Sequence, residues 1–407
     1  MRMEWMVAAL LCLACPSFSQ DRHAAAKDIA VIRKQYIEFC ASSAPGDQAV
    51  KDYIEKLRPD GTWQDINYED QNRGGWLTLN HIRRVEEMAN AYHREGHKFA
   101  GNAELKSAIV KALAHWTQKD YTNPNWWCNE IGAPRAMANI LLLMGNDIPA
   151  DIVKRAMETT MSRAKIGMTG QNRISLAGIV FVRSLVDGNE KLLADALKAI
   201  LEEVRVTTRE GVQPDWSFHQ HGPQQQFGNY GLAFGASITE WAIVFRNTTY
   251  ALDDKQLSIL RNYLLEGEAW ILWKGRMDIS GCGRQVGKDC QAGKGRGVLG
   301  QIERMIRIDP ANTRVYQARL KDNDPIGTNT LVGNKHFWRS DMMIHRRPQW
   351  YASVKMSSRR VTGSETCNSE NMLGLHLGDG VLHIYLTAGE YENIQPFWDW
   401  HRLPGTT

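Results

Sequence analysis

The strongest constraint on the fold is a helical hydrophobic period that persists from about residue 21 to about residue 320. In residues 81–92, apolar side chains recur at positions 82, 85, 88, 89 and 92, the spacing of one helix face. Similar stripes occupy residues 105–116, 136–144, 174–186 and 192–204. Short breaks rich in Gly, Asn, Asp and Pro separate these stripes. Many helices with short connections predict stacked antiparallel hairpins that close into a ring or superhelix.

The character of the chain changes near residues 323–330, which are rich in Asn, Asp and Gly. Beyond them, residues 342–345, 350–356 and 381–386 are alternating or β-branched and are bounded by Gly, Asn or Pro, as strands are. About seventy residues suffice for a few strands but are few for a sandwich of two covered sheets. We therefore predict an α+β chain with three parts: a signal peptide over 1–20, a helical catalytic domain over 21–325, and the beginning of an antiparallel β-sheet domain over 326–407.

The first residues predict an export signal. A basic start at Arg2 precedes an apolar core over residues 6–14, and small residues around Ser19 suit cleavage by a signal peptidase. The apolar core is too short to span a bilayer permanently. Lipoprotein anchoring at Cys15 is the alternative, but Cys12 stands where such a signal has leucine. We expect cleavage near Ser19 or Gln20 and a secreted or periplasmic protein with no membrane span.

Net charge and cysteine content limit the classes of ligand and metal site that this chain can have. The net charge of +4 suits an anionic substrate but is too small to indicate nucleic acid. Five cysteines remain after the signal peptide, and their spacing matches no zinc site. Cys282 and Cys290 are placed to close a small disulfide loop in an oxidising compartment. Fourteen tryptophans are many for this length; most should serve the core, but such rings also stack on sugar faces.

Residues 215–231 combine two histidines, four glutamines and several aromatic residues with glycines that interrupt a regular helix. Taken alone, its His221 and Tyr230 are explained equally well by a loop histidine and a packed tyrosine. Four other stretches share this polar and aromatic character: 123–132 with Trp126 and Trp127, 169–173 with Asn172, 283–288 with Arg284 and Lys288, and 364–371 with Glu365 and Asn368. Each by itself also fits a purely structural role, such as core tryptophans, a helix cap or solvated cations.

Together, in this order and spacing, these stretches resemble polysaccharide lyase family 8, the hyaluronate, chondroitin AC and xanthan lyase group. The likeness is greatest to the chondroitin AC branch and extends from the paired tryptophans to the Trp398-Asp-Trp-His-Arg end of the chain. It implies an incomplete (α/α) toroid followed by large antiparallel sheets. It also implies β-elimination of a uronic-acid polymer, such as chondroitin sulfate or hyaluronan, that leaves an unsaturated uronate.

The residue types fit that chemistry. Removal of the uronate C5 proton requires donors that spread the charge developing on the neighbouring carboxylate, and the resemblance places Asn172 and His221 there. Tyrosine, with an ordinary pKa of about 10, is a poor base unless a cation lowers that pKa. The resemblance implies that Arg284 is this cation and that Tyr230 acts first as base and then as acid. It assigns to Glu365 the orientation of the histidine and of the basic loop.

The resemblance further implies a sugar-binding surface made of Asn125, Trp126, Trp127, Lys288 and Asn368. Lys288 departs from the family, which has a second arginine at this position. Lysine keeps the charge but loses the planar fork that binds carboxylate or sulfate through two hydrogen bonds. We therefore expect an altered substrate preference or rate rather than lost activity. Family members also continue past the position of Thr407, so we expect an incomplete wall of β-sheet beneath the cleft.

Three other interpretations stay open at this level. An inverting glycoside hydrolase would need two carboxylates beside the bond, and Glu130 and Asp215 are the acids within the helical motif stretches. A non-catalytic glycan-binding protein would keep the tryptophans without needing the tyrosine. His219 and His221 could be metal ligands, although no third ligand stands nearby.

The remaining expectations concern partners and cofactors. We expect a monomer that acts on an anionic polysaccharide, either a glycosaminoglycan or xanthan, and that binds no nucleic acid. The elimination requires no cofactor or catalytic metal. A structural calcium ion occurs in such lyases, but no ligand set in this sequence indicates one.

Overall fold

The computed structural model describes the backbone of residues 17–405 and the side chains from residue 26 onward. The predicted signal peptide over 1–20 therefore lies outside the described residues except for its last four positions, where the first helix begins. Within the described part of the chain, no helix is both long and apolar enough to cross a membrane.

The described chain forms twelve α-helices before residue 323. Their bounds are α1 Ser17–Ser42, α2 Asp47–Glu55, α3 Leu79–His93, α4 Ala103–Lys119, α5 Ala133–Met144, α6 Ala150–Glu158, α7 Gly170–Asp187, α8 Glu190–Glu202, α9 Leu232–Val244, α10 Asp254–Asn262, α11 Cys290–Ile308 and α12 Thr313–Asp322. Local sequence explains several ends. Asn102 caps α4 by accepting from the Leu105 amide, and Asp253 and Gln256 form a capping box at α10.

The helices pack as a ring of hairpins. Helices α3, α5, α7, α9 and α11 contact one another in succession, and α1 contacts α3, α5 and α9. Outer helices cover them: α4 packs on α3, α8 on α7, and α12 on α11. Helix α5 lies so deep in this ring that Arg135 is its one residue that is not buried. The helical ring predicted from the periodicity is confirmed.

A four-stranded antiparallel sheet follows the helices, again as predicted. Its strands, in spatial order, are β5 Gly333–Phe337, β6 Met342–Arg346, β7 Tyr351–Lys355 and β8 Val381–Tyr385. Residues of one face, including Phe337, Ile344 and Tyr385, are buried in the same core as the helices. The opposite face leaves Met343 and Ile384 exposed. Two short ribbons lie earlier in the chain, β1 Gly211–Val212 with β2 Phe218–His219, and β3 Leu272–Trp273 with β4 Arg276–Met277.

The stretch over residues 215–231 joins the ring to the sheet. The Asp215 carboxylate accepts the Arg339 amide at 2.5 Å, and the Ser340 hydroxyl lies 3.0 Å from Nε2 of His219. Farther on, Nε2 of Gln224 donates to the Gly363 carbonyl at 2.8 Å. Because buried polar groups need hydrogen-bond partners, these three bonds hold the sheet in a fixed position against the helices.

Candidate active site

A cavity of about 780 Å³ opens at the junction of the helical ring and the β region. Eight of the ten site residues expected from the sequence line it: Asn125, Trp126, Trp127, Asn172, His221, Tyr230, Arg284 and Asn368. Glu365 is buried and hydrogen-bonds two of these residues, His221 and Arg284. Lys288 is exposed and is not among the lining residues. The structure thus brings together residues from five separate sequence stretches but leaves Lys288 outside their cleft.

Glu365 is the centre of the hydrogen-bonded cluster. One carboxylate oxygen accepts from Nδ1 of His221, and the other accepts from Arg284 at 2.5 Å and from Gln226 at 3.0 Å. Burial favours the neutral acid, but the His221 hydrogen bond and the Arg284 charge prevail and lower the pKa of Glu365 to about 2. The carboxylate is therefore ionised at neutral pH. His221 lines the cleft, and no described residue hydrogen-bonds its other ring nitrogen, Nε2.

The backbone of His221 has a φ of 62°, in the left-handed region that a non-glycine residue rarely adopts. Strain of this kind persists where surrounding contacts fix the conformation. Here the next residue, Gly222, donates its amide to Glu210 at 3.0 Å, and the preceding Gln220 donates to the same carboxylate at 2.6 Å. The loop is thus fixed on both sides of the histidine, which directs the ring toward Glu365.

Tyr230 lies in a π-helical turn, Phe227–Gly231, that leads into α9. Such turns are frequent at functional sites because they displace a side chain from the helix path. The Tyr230 ring packs against the His221 ring, with centroids 4.8 Å apart, and the Arg284 guanidinium lies 5.9 Å from its centre. Burial raises the pKa of Tyr230 above its usual value, and Arg284 opposes this only in part. The cation is where we expected it, but the phenol stays protonated in the free protein.

Asn172 lies in the first turn of α7 and is 5% exposed. Its side-chain amide makes no hydrogen bond with any described residue, and it lines the cleft. The turn before it depends on Gly170, whose φ is +57° and whose missing Cβ would lie 2.3 Å from Oε1 of Gln220. That oxygen accepts the Gln171 amide at 3.1 Å. Gln220 therefore ties the loop of His221 to the helix of Asn172.

The paired tryptophans form one wall of the cleft. Trp126 is 37% exposed, and Trp127 is partly buried beside it. Asn125, expected to bind sugar, instead uses its amide within the protein: Oδ1 accepts the Trp127 amide at 3.1 Å, and Nδ2 donates to the Arg73 carbonyl at 2.7 Å. Its visible role is to hold the turn that presents the rings.

Sequence reasoning missed three arginines that line the cleft, here called the cationic wall. Arg73, Arg83 and Arg135 all line the cleft, and Arg135 also donates to the Ser175 hydroxyl at 2.9 Å. Among the lining residues the only carboxylate is Glu370, which is paired with Arg284 at 2.7 Å. This lining therefore carries a positive charge, which favours anionic ligands. One signal was present in the sequence: Arg135 directly precedes the helical stripe over residues 136–144.

The alternative site residues have other roles. Asp215 accepts from the Ser217 hydroxyl at 2.7 Å and from the Arg339 amide, and neither it nor Glu130 lines the cleft. The pair of carboxylates that a hydrolase needs is therefore not formed there. His219 is buried away from His221, and burial together with Arg339 lowers its pKa to about 4.

The structure can also be compared with the expectations about a disulfide and a metal site. Cys282 and Cys290 are free thiols, so the disulfide expected between them is not formed. From residue 26 to residue 405, no group of three or more His, Cys, Asp or Glu side chains is placed to hold a metal ion. The absence of a cofactor requirement stays a prediction.

A helical ring with an antiparallel sheet docked on it, and an aromatic, cationic cleft at their junction, is the architecture expected of the toroid-type polysaccharide lyases. Two family profiles match the sequence: the polysaccharide lyase family 8 N-terminal alpha-helical domain over residues 33–323 and the family 8 super-sandwich domain over residues 332–407. The chain belongs to polysaccharide lyase family 8.

Individual relatives agree with this assignment. The chain is 32% identical over 372 residues to the chondroitinase-AC of Pedobacter heparinus, covering 89% of this chain and 52% of that protein. It is 26% identical to the hyaluronate lyase of Thermasporomyces composti, covering 87% and 51% of the two chains. A chondroitinase AC lyase solved with oligosaccharides superposes with a TM-score of 0.85 at 29% identity, over 93% of this chain and 57% of that one. The chain thus spans about half the length of the curated relatives it matches.

Proposed function

We propose that this chain carries the catalytic site of a lyase that cleaves chondroitin sulfate or hyaluronan by β-elimination. The single observation that carries this proposal is the ionised Glu365, which hydrogen-bonds both His221 and Arg284 while the Tyr230 ring packs against the histidine. Binding alone would require no such cluster. The relatives named chondroitinase-AC and hyaluronate lyase support the choice of polymer.

The first step is neutralisation of the substrate carboxylate. The unpaired amide of Asn172 and Nε2 of His221 both line the cleft, where they can donate to a uronate carboxylate. Because Nδ1 of His221 already donates to Glu365, its Nε2 is a donor only when the ring is protonated on both nitrogens. These donors stabilise the charge that develops when the C5 proton leaves.

Tyr230 then moves the proton. In its reactive phenolate form, which the Arg284 guanidinium stabilises, the tyrosine oxygen takes the C5 proton. The C5–H electron pair forms the C4–C5 double bond, and the C4–O4 bond breaks. The same tyrosine returns its proton to the departing O4, so the enzyme regains its starting state and the product keeps an unsaturated uronate.

Xanthan is the alternative substrate. The xanthan lyase of Bacillus sp. strain GL1 is 24% identical to this chain over an alignment that covers 99% of it. Xanthan also carries uronate side chains, so the same five side chains, including Glu365, would act on it. The choice between the polymers depends on groups that the cationic wall and the tryptophans contact.

The test is ultraviolet absorbance during incubation of the chain with chondroitin, hyaluronan and xanthan in separate reactions. Tyr230→Phe is the decisive variant because it keeps the ring and removes only the hydroxyl. Tyr92→Phe is the matched control, since its hydroxyl bonds Asp147 at 3.2 Å and it does not line the cleft. We expect absorbance to rise with one glycosaminoglycan for the wild type and for Tyr92→Phe, but not for Tyr230→Phe.

The other outcomes are distinct. New reducing ends without absorbance would identify a hydrolase and refute the tyrosine mechanism. Retained polymer binding without either signal would identify a glycan-binding chain. We also propose export of a monomer, which N-terminal sequencing of the secreted chain and its sedimentation would check.

A further inference from the structure

Lys294 is a buried cation next to the turn that carries Tyr230. It lies near the start of α11 and is 8% exposed. Its ammonium donates to the Gly228 carbonyl at 2.5 Å and to Oδ1 of Asn229 at 2.9 Å. It forms no salt bridge with a carboxylate of any described residue. Because a buried charge is costly unless hydrogen bonds replace its water, the ammonium depends on these two oxygen acceptors.

The Gly228 carbonyl is open to this ammonium because of the π-helical turn over Phe227–Gly231. In a regular α-helix the Leu232 amide would donate to that carbonyl, four residues earlier. Here the Leu232 amide donates to the carbonyls on either side of Gly228, and Gly228 accepts from Lys294. The lysine ammonium thus takes the place of a backbone donor in the turn that displaces Tyr230 from the helix path.

The same turn packs closely against the loop of Arg284. A Cβ on Gly228 would lie 2.7 Å from Cα of Cys282, and a Cβ on Gly283 would lie 2.5 Å from Nδ2 of Asn229. Glycine allows such close approach of two backbone segments, so the turn and the loop interlock at two points. A shift of the turn therefore changes its fit to the Arg284 loop.

We propose that Lys294 is a positioning residue, whose hydrogen bonds to the turn hold Tyr230 in place beside Arg284. Lys294 does not line the cleft, so it acts through the turn and not on the polymer. Its loss should slow the chemical step and leave polymer binding nearly unchanged. The effect on turnover rests on the proposed function, whereas the effect on the position of the turn does not.

Lys294→Met is the main test, because methionine fills a similar volume and has no hydrogen-bond donor. We expect kcat to fall about a hundredfold and KM to change less than about threefold in the ultraviolet assay, since a displacement near 1 Å at a reacting group has effects of this size. Hydrogen exchange of residues 227–231 should become faster. The urea midpoint should stay close to that of the wild type, because loss of a buried charge offsets two oxygens left without a donor.

Two further variants make the result decisive. The side-chain amide of Lys294→Gln keeps N–H donors without the charge, so its kcat should recover to within about tenfold of the wild type. The same comparison decides the proposal if Lys294→Met does not fold. Lys255→Met is the matched control: this lysine is exposed, does not line the cleft and should leave kcat, KM and exchange unchanged.

Three results would overturn the proposal. They are a wild-type kcat in Lys294→Met, an effect on KM alone, and a Lys294→Gln variant that recovers neither kcat nor slow exchange. The third would show that hydrogen bonds to the turn are not the cause. If the wild type has no lyase activity, the proposed function is refuted, and exchange at residues 227–231 in the two Lys294 variants still decides whether the lysine holds the turn.

Discussion

Replacement of Glu365 by glutamine tests the cluster on which the proposed chemistry depends. The pKa of Glu365 is lowered from 4.5 to about 2, so its carboxylate stabilises the folded chain above pH 4.5 and loses that effect as the pH falls toward 2. The full shift corresponds to about 3 kcal/mol at neutral pH, which we discount to about 2 kcal/mol because water reaches the cleft. Glu365→Gln should therefore lower the free energy of unfolding by about 2 kcal/mol at pH 7.

Urea unfolding followed by tryptophan fluorescence, at pH 7, 5 and 3, measures this difference. The gap between the wild type and Glu365→Gln should fall to under half of its neutral value by about pH 3, since the wild-type carboxylate is then almost fully protonated in the unfolded chain but still mostly ionised in the folded one. Glu370→Gln is the matched control: it removes the other partner of Arg284, but that side chain is 29% exposed, so it should cost under about 1 kcal/mol. A difference for Glu365→Gln that stayed constant from pH 7 to pH 3 would show that the ionised carboxylate does not hold the cluster together.

Three further outcomes follow from the site. Gly170→Ala should lower the free energy of urea unfolding by about 2–4 kcal/mol and reduce turnover, because φ is +57° and the new methyl would displace Gln220. The control Gly188→Ala, with open space around the new methyl, should lower it by about 1 kcal/mol. The value of kcat/KM should rise and then fall as the pH increases, because the reaction requires both the phenolate of Tyr230, whose pKa burial raises, and a doubly protonated His221 ring; a rate that rises steadily to about pH 10 in initial-rate measurements would contradict this. Arg135→Gln should raise KM about tenfold with little change in kcat in steady-state kinetics at fixed ionic strength. Lys288→Ala, outside the cleft, should change KM less than about threefold in the same assay.

The fold class could be predicted from the sequence. So could the location of Asn172, His221, Tyr230 and Arg284 in one cleft. Helical periodicity is a local signal that continues over many turns, and the motifs keep their order along the chain. The cationic wall could not be predicted in the same way. In a ring of helices the side away from the core faces either solvent or the cleft, and the periodicity of α3, which carries Arg83, does not distinguish them.

Other properties of the site depend on which residues are neighbours in the folded structure, and the sequence does not show these neighbours. The amide of Asn125 has the right chemistry for a sugar, but the loop geometry directs it to the Trp127 amide and the Arg73 carbonyl. The pKa of Tyr230 results from burial and a neighbouring cation acting in opposite directions, and only coordinates show which is larger. The free thiols of Cys282 and Cys290 likewise show that close spacing in sequence does not by itself form a disulfide.

The hydrogen bond between His221 and Glu365 joins residues 144 positions apart, one beside the helical ring and the other in the β region. The helices form mainly from local contacts and can assemble early, whereas this bond must await the docking of a segment 144 positions farther along the chain. A folding chain with a complete ring would already present its tryptophans and arginines, yet would lack the carboxylate that orients the histidine. Under the proposed function, sugar binding can therefore precede bond cleavage during folding, because cleavage requires the later docking of Glu365.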